Sequence, residues 1–390
     1  MNADDSIFLK ELTRRMNECL SQGQAVGDID TVEIENEIIS DANLTPDELR
    51  SAIERQASRT KISRSRTKGR VRREIAERWG RPLDLLGRCI DIADLINDRL
   101  VRAVFMNGDV LRGKNPRPMP DRVTGAYVKC LHSLSLYSKS CIIAAEILCL
   151  LREGFPDAAA SRFRTLHEHL VIAMVLLNDR TYELSEAYEE SAVFEYLKQL
   201  RVDLSSFSDP ALYWTISNEL AEERSREISE EILDTEALAN EIVGKRGAKF
   251  RDQYEWARPK LPEPKRSNLQ YRMNFTDLEQ IAGMDFLRRN YLMGNDRVHA
   301  GAYAVINHFD FENPKISPIR QRQSDSTLYF VGFGVSQLLG WAARCACKSI
   351  AYETEEYDEF IYASEIYVAA NAAMGAFNEA ISPSPEDPDD

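Results

Sequence analysis

Apolar residues recur at spacings of three and four along most of the 390-residue chain, and alternating apolar and polar runs are scarce. This spacing puts apolar side chains on one face of an α-helix, whereas a half-buried strand requires alternation. The sequence therefore predicts an all-α protein. Helices of this length joined by short turns are typical of a large up-and-down bundle. We see no repeat of fixed period, which disfavours a helical solenoid.

Turn signals divide this helical pattern. The strongest helix start is near Pro46, which suits a first helical position, while Thr45 can cap the helix and Glu48 can complete a capping box. We predict an N-terminal helical region (1–80), a main helical bundle (81–381) and a disordered acidic tail (382–390). Helices of the bundle are expected near residues 82–106, 121–153, 156–178, 181–201, 209–234, 235–257, 276–308, 324–351 and 355–381. Proline- and charge-rich connections are expected at 257–268 and 313–324.

Charge is distributed unevenly. The chain has a net charge of −14, but 12 of its 49 basic residues and only three of its 63 acidic residues lie between Arg50 and Arg81. This basic arm carries +9 and the remainder −23, so the arm is the natural contact for a polyanion such as RNA. Its Ser, Thr, Arg and Gly content predicts a loop or a loose helix. Pairing with acidic residues of the same chain or of a partner subunit is an equal alternative.

Cysteine usage indicates a reducing compartment. The seven cysteines include no C-x-x-C pair, and Cys345 and Cys347 fall on opposite sides of a predicted helix. Free, mostly buried thiols are typical of intracellular proteins, so we expect a cytoplasmic location. The N-terminus lacks the pattern of a signal peptide. The most apolar run, Leu328–Ala343, is short for a membrane span and predicts a buried core helix, with no membrane partner.

The sequence lacks several strong catalytic motifs. It has no phosphate-binding G-x-x-x-x-G-K-[ST], no H-E-x-x-H, no G-x-S-x-G and no paired E-x-x-H of a di-iron bundle. His167 and His169 lie about 200° apart on a helix and therefore cannot bind one metal ion together. We expect no metal site and no cofactor.

His299 leads the candidate chemistry. On a helix, Asn295 lies one turn before His299 and Tyr303 one turn after, with Arg288 on the same face and Arg297 close by. An imidazole can act as general acid or base, and a guanidinium can hold phosphoryl oxygens, so this group suits phosphate chemistry. The alternative is a buried histidine hydrogen-bonded to a facing helix.

A second polar cluster lies near the start of an otherwise apolar helix. Arg164 and Glu168 are four residues apart and can pair along the helix, with His167 beside them. If this helix packs beside the segment that carries His299, Glu168 could orient the imidazole and Arg164 could line the same cleft. A buried ion pair that fixes helix register is at least as good an interpretation.

These residues carry a family resemblance. Arg164 and Glu168 lead into an apolar helix, and much later Tyr291 is followed by Asn295 and His299. This pattern resembles an uncharacterised family of bacterial all-helical proteins over roughly residues 120–350. The late motif of that family usually has serine at the position of Asn295. The resemblance implies a helical fold and brings no established activity.

More distantly, the pattern is similar to the HEPN superfamily of helical domains, many of which are metal-independent ribonucleases of toxin–antitoxin and anti-phage systems. Their motif is an Arg, commonly followed by Asn, with a His four to six residues beyond. Arg289 and Asn290 match its start, but residues 294–296 are Gly, Asn and Asp, and the histidine comes only at His299.

This similarity implies metal-free RNA cleavage in defence or stress. The catalytic set would be His299, Asn295, Arg164 and Glu168, and Arg288, Arg297, Tyr303 and His167 would bind substrate. The alternatives are a non-catalytic interaction or scaffold module, which could self-associate or bind a protein partner, and a small-ligand sensor.

Overall fold

The helical class is confirmed by a computed structural model, which describes residues 7–22, 37, 46–113, 125–207, 218–289, 291–292, 294, 325–355 and 359–382. These residues form helices and turns, and they include no β-strand. The chain divides into two compact units, residues 1–73 and residues 74–390. The candidate site lies entirely within the second unit.

The described α-helices are numbered in chain order. They are α1 (Ile7–Ser21), α2 (Pro46–Met106), α3 (Gly108–Gly113), α4 (Ala126–Arg152), α5 (Pro156–Leu177), α6 (Glu183–Phe207), α7 (Asn218–Arg246), α8 (Phe275–Ala282), α9 (Asp325–Thr354) and α10 (Glu359–Ile381). Short 3₁₀ helices follow α7 at Ala248–Arg251 and Glu255–Lys260, and another follows α8 at Asp285–Leu287.

Helix α2 decides between the two alternatives predicted for the basic arm. The predicted start at Pro46 is confirmed, but the helix then continues for 61 residues to Met106. The arm is therefore not a loop, and the helix predicted to begin at residue 82 is the second half of the same element. The reason is local, because lysine and arginine propagate a helix almost as well as leucine does.

Helix α7 corrects a second prediction. The two helices predicted at 209–234 and 235–257 are one helix from Asn218 to Arg246, followed by 3₁₀ turns. The suggested break at Thr235 does not occur, and the Thr235 hydroxyl donates a hydrogen bond to the carbonyl of Glu231, 2.7 Å away within the helix. Residues 208–217 lie outside the described part of the chain.

Helix α8 is much shorter than predicted. It begins with a capping box formed by Asn274 and Asp277 and ends at Gly283, whose φ of 71° is left-handed. The single helix predicted over 276–308 is therefore interrupted, since a left-handed residue terminates an α-helix. The rest of that prediction, from residue 295 onward, falls outside the described residues, as do the connection at 313–324 and residues 383–390 of the tail.

The core forms where α9 packs against α10 and α5, while α4 pairs with α5 and α6 with α7. The apolar run Leu328–Ala343 is largely buried inside α9, as predicted. Within the described residues, one helix, Ala126–Arg152, is long and apolar enough to cross a membrane. Half of its most apolar stretch is buried in the protein, as is also usual for core helices.

All seven cysteines are free, and four of them are buried: Cys89, Cys130, Cys141 and Cys347. Burial raises the pKa of the Cys89 and Cys141 thiols to about 12. Both side chains are therefore neutral near pH 7 and behave as small apolar groups in the core.

Candidate functional site

Helix α5 presents Arg164 and Glu168 on one face, because residues four apart are neighbours on a helix. The predicted pair is formed, with Arg164 Nε donating to Glu168 Oε1 over 2.9 Å. Both side chains are partly exposed. The start of this otherwise apolar helix therefore presents a positive and a negative group at the surface.

His167 points the other way, into the protein. Its Nε2 lies 2.8 Å from Glu279 Oε1, and both side chains have an exposed fraction of 0%. The second oxygen of Glu279 accepts a hydrogen bond from Arg288, whose side chain is partly exposed. One buried carboxylate thus connects α5 to the segment after α8.

The contact with Glu279 fixes the tautomer of a neutral His167. A carboxylate accepts hydrogen bonds, so ionised Glu279 beside Arg288 requires the proton of a neutral His167 to be on Nε2. Its Nδ1 is then a lone-pair acceptor, and it is buried without a hydrogen-bond partner among the described residues. An isolated buried acceptor of this kind costs free energy and commonly marks a functional or water-filled position.

Tyr291 joins the two polar pairs. Its hydroxyl donates to Glu168 Oε1 over 3.0 Å, and its ring lies 5.3 Å from the ring of His167 and 5.0 Å from that of Phe275. The Arg164 guanidinium carbon is 5.5 Å from the ring centroid of Tyr291. Burial, and then the charge and hydrogen bond of Glu168, raise the pKa of Tyr291 to about 12. Tyr291 is therefore a neutral hydrogen-bond donor near pH 7.

Gly294 brings the next part of the chain against α5. A Cβ at this position would lie 2.8 Å from the carbonyl oxygen of Ala160 and 3.0 Å from Cβ of Arg164, closer than side chains tolerate. Glycine is therefore required for this approach. The predicted meeting of α5 with the segment that leads toward His299 is observed as far as Gly294.

Four of the eight predicted site residues are thus brought together: Arg164, His167, Glu168 and Arg288. The other four lie outside the described residues: Asn295, Arg297, His299 and Tyr303. Their roles stay predictions.

The sequence interpretation did not include Glu279 among the site residues, and Tyr291 entered it only through the family resemblance. A signal for Glu279 was present. In α8 the apolar stripe is Phe275, Leu278 and Ala282, and Glu279 lies on the same face at the helical spacing of these residues. A charged residue within an apolar stripe is buried only when it has partners, so it marks an internal polar contact.

The histidines of α5 are separated as predicted. His169 is only partly buried, and its Nδ1 donates to the carbonyl of Thr165 over 2.8 Å, while His167 is fully buried against Glu279. Across the described ranges, no group of three or more His, Cys, Asp or Glu side chains is arranged to hold a metal ion.

Comparison with known proteins places the cluster within a recognised but uncharacterised domain. Residues 131–316 match a family of unknown function (DUF5677). The DUF5677 match begins inside α4 and includes α5 to α8, and therefore every residue of the cluster described above. It supports the predicted resemblance to an uncharacterised family, and it covers residues 131–316 of the predicted range 120–350. Comparison with curated proteins and with solved structures found no match.

Proposed function

We propose that this protein cleaves RNA without a metal ion, at the cluster formed by α5 and the segment after α8. The observation that carries the proposal is that one cluster holds both Arg164 and Arg288. Arg164 lies against the ring of Tyr291, and Arg288 binds Glu279, whose other oxygen binds His167 beside the same ring. These two arginines are far apart in the sequence, partly exposed, and each held by a carboxylate. A guanidinium has five N–H donors, so it can bind a carboxylate and a phosphate at once.

His299 would supply the acid–base chemistry. It follows Gly294 by five residues, a span of at most ~18 Å even for an extended chain, and Gly294 touches Arg164. In the reaction, the 2′-oxygen forms a bond to phosphorus and gives its proton to a base, while the bond from phosphorus to the 5′-oxygen breaks and that oxygen gains a proton. The products are a 2′,3′-cyclic phosphate and a 5′-hydroxyl, so no metal or redox partner is required.

Purified protein incubated with total RNA in EDTA tests this proposal. We expect wild type to produce cyclic phosphate ends, and His299→Ala to lower the rate by about 10²–10⁴-fold, the usual contribution of a general acid or base. His169→Ala is the matched control, because His169 is bonded to its own helix. Unchanged cleavage by His299→Ala, or cleavage that requires an added metal ion, would contradict the proposal.

Arginine variants separate phosphate binding from general structure. We expect Arg164→Lys and Arg288→Lys to lower the rate by about 10²–10³-fold, comparable to loss of one preorganised donor. The matched control is Arg162→Lys on the same helix, because Arg162 pairs with Glu146 at the surface. Equal effects of variants and control would indicate a loss of folding and not of phosphate binding.

We also propose that the basic arm Arg50–Arg81 binds the RNA. Its charge of +9 contrasts with the −23 of the remaining chain. Binding through phosphates weakens steeply with salt, and each lost contact reduces the slope of log affinity against log salt by about 0.7 for single strands. Measuring the RNA affinity at several salt concentrations tests this. The double variant Arg66→Gln with Lys68→Gln should lower the slope by about 1.4, while Lys198→Gln with Arg201→Gln on α6 should leave it unchanged.

A non-catalytic interaction module is the second candidate, and one observation favours it. His167 and Glu279 are completely buried, as expected of a polar contact that fixes how helices pack. For such a module, no RNA cleavage occurs with folded wild type, and His167→Ala lowers the free energy of unfolding by about 1–3 kcal/mol. The EDTA assay and a urea titration of the same proteins therefore distinguish the two functions.

A further inference from the structure

Tyr254 is one of three residues other than glycine that have a left-handed backbone in the described part of the chain, with a φ of 72°. A side chain crowds the backbone in this conformation, so it persists only where the surroundings enforce it, and such positions cluster at functional sites. The surroundings here are well packed. Trp256 is buried with its ring 5.0 Å from that of Tyr188, and the neighbouring Glu255 is buried and binds Arg258.

A second tyrosine shows what this conformation can serve inside the protein. Tyr182 has a φ of 62°, and its hydroxyl donates to the buried carboxylate of Glu353 over 2.9 Å. Tyr254 is also partly buried, but its hydroxyl makes no hydrogen bond to any residue that the structure describes. No internal hydrogen bond among these residues therefore accounts for the conformation of Tyr254, and its O–H donor is left for a ligand.

The ring of Tyr254 lies at the candidate site. It is 6.1 Å from the ring of Phe275. The Phe275 ring also lies 5.9 Å from that of His167 and 5.0 Å from that of Tyr291. Phe275 thereby joins Tyr254, which follows α7, to residues of the site that come from α5 and from the segment after α8.

The charged pair of the site also acts on Tyr254. Burial, and then the charge of Glu168, raise the pKa of its hydroxyl, and the opposing charge of Arg164 does not cancel this. Tyr254 is therefore a neutral O–H donor near pH 7, within the electrostatic reach of Arg164. A guanidinium and a neutral hydroxyl together suit a phosphate, because the first supplies positive charge and the second a directed hydrogen bond.

We propose that the Tyr254 hydroxyl donates a hydrogen bond to an oxygen of the phosphate that Arg164 binds. Tyr254 is then a further substrate-binding residue, and this role rests on the RNA cleavage proposed above for the same site. A bound phosphodiester would complete the hydrogen bonding of Tyr254 as the carboxylate of Glu353 completes that of Tyr182.

Tyr254→Phe tests the proposal, because it removes the hydroxyl and keeps the ring beside Phe275. In the EDTA cleavage assay we expect kcat/KM to fall by about 10–100-fold, the usual effect of losing one hydrogen bond to a charged group. The urea midpoint should not change. The matched control is Tyr352→Phe on α9, an exposed tyrosine (58%) whose ring lies 5.4 Å from the guanidinium carbon of Arg180. This control should change neither the rate nor the urea midpoint.

Binding of an uncleavable probe separates the phosphate contact from the cleavage reaction. A dinucleoside phosphate with 2′-deoxyribose before its phosphate lacks the attacking hydroxyl. By isothermal titration calorimetry, we expect wild type to bind this probe at least about tenfold more tightly than Tyr254→Phe does. This difference in a wild type that does not cleave RNA would refute the cleavage and retain the phosphate contact. Equal cleavage by wild type and Tyr254→Phe, or no binding of the probe by wild type, would overturn the role of Tyr254.

Tyr182→Phe gives the opposite expectation for the same chemical change at the same backbone conformation. It should lower the urea midpoint, since Glu353 loses a donor, and leave the affinity for the probe unchanged. If Tyr254→Phe behaved in this way, its hydroxyl would have a partner within the chain and the proposal would be wrong.

Discussion

Glu279 connects the two segments of the candidate site, because each of its carboxylate oxygens binds a residue from a different part of the chain. One oxygen accepts from His167 and the other from Arg288. A fully buried carboxylate is costly unless it is both paired and hydrogen-bonded, and here it is both. Arg288 is thereby held in position at the surface, although the residue that holds it is inside.

We expect Glu279→Ala to lower the free energy of unfolding by about 3–5 kcal/mol, since it leaves His167 and Arg288 without their shared acceptor. Glu279→Gln should cost less, about 1–3 kcal/mol, because its amide oxygen still accepts one hydrogen bond. Urea titration followed by circular dichroism measures both.

The matched control is Glu236→Gln, which removes an exposed pair with Arg201. This change should alter the free energy of unfolding by less than about 1 kcal/mol. If Glu279→Ala were no more destabilising than this control, the buried contact would not be holding the site together.

At the scale of elements, glycines set how closely α9 and α10 pack. A Cβ at Gly332 would overlap the buried ring of Phe377, and one at Gly340 would lie 2.6 Å from Cβ of Ala370. Helices approach closely only where side chains are small, so these two glycines fix the position of α10.

Replacing a glycine by alanine should therefore lower the free energy of unfolding at some positions and raise it at others. Gly332→Ala should lower the free energy of unfolding by about 1–3 kcal/mol, because Phe377 must move out of a close-packed core. Gly244→Ala in α7 should raise it by about 0.5–1 kcal/mol, because alanine favours helix and its Cβ would meet no described atom within 4 Å. Thermal unfolding of the two variants measures both signs, and stabilisation by Gly332→Ala would contradict the packing.

At the scale of the whole molecule, two buried aspartates hold connections between helices in place, and one of them, Asp179, pairs with a residue distant in sequence. Asp179, between α5 and α6, accepts from the Leu184 and Thr181 amides and pairs with Lys260 at 2.9 Å. Asp277, in α8, pairs with Lys265 at 2.8 Å and accepts from Tyr271. Burial alone would raise the pKa of each carboxyl, but these hydrogen bonds outweigh it, so both pKa values are lowered.

This direction fixes the pH dependence of stability. A carboxyl whose pKa is lower in the folded state contributes stability above its unfolded pKa of about 3.9, and this contribution is lost as the pH falls through the folded value. We expect the melting temperature to fall steeply below about pH 4. The double variant Asp179→Asn with Asp277→Asn should be less stable than wild type at pH 7. Its melting temperature should also fall less than that of wild type between pH 5 and pH 3.

Exposed aspartates provide the control for this prediction. Asp91 and Asp98 are exposed on α2, so Asp91→Asn with Asp98→Asn should leave the pH profile almost unchanged. If the melting temperature of the double variant Asp179→Asn with Asp277→Asn depended on pH as that of wild type does, other groups would account for the acid sensitivity.

The sequence by itself determined the helical class, the start of α2, the bounds of α5 and α10 within a few residues, and the pair Arg164–Glu168. Each depends on residues close together in the chain, where spacing and capping decide the outcome. It left the basic arm open between a loop and a helix, and it failed near Thr235, where helix propagation prevailed over an apparent break.

Only the tertiary structure decided which distant residues meet. The sequence does not show that Glu279 binds His167, that Tyr291 binds Glu168, or that Gly294 touches α5. These contacts require the left-handed turn at Gly283 and the packing of α8 on α5, which depend on how the whole core is filled. Periodicity tells which face of a helix is buried, but the partner of that face is chosen by the shape and polarity of every other helix.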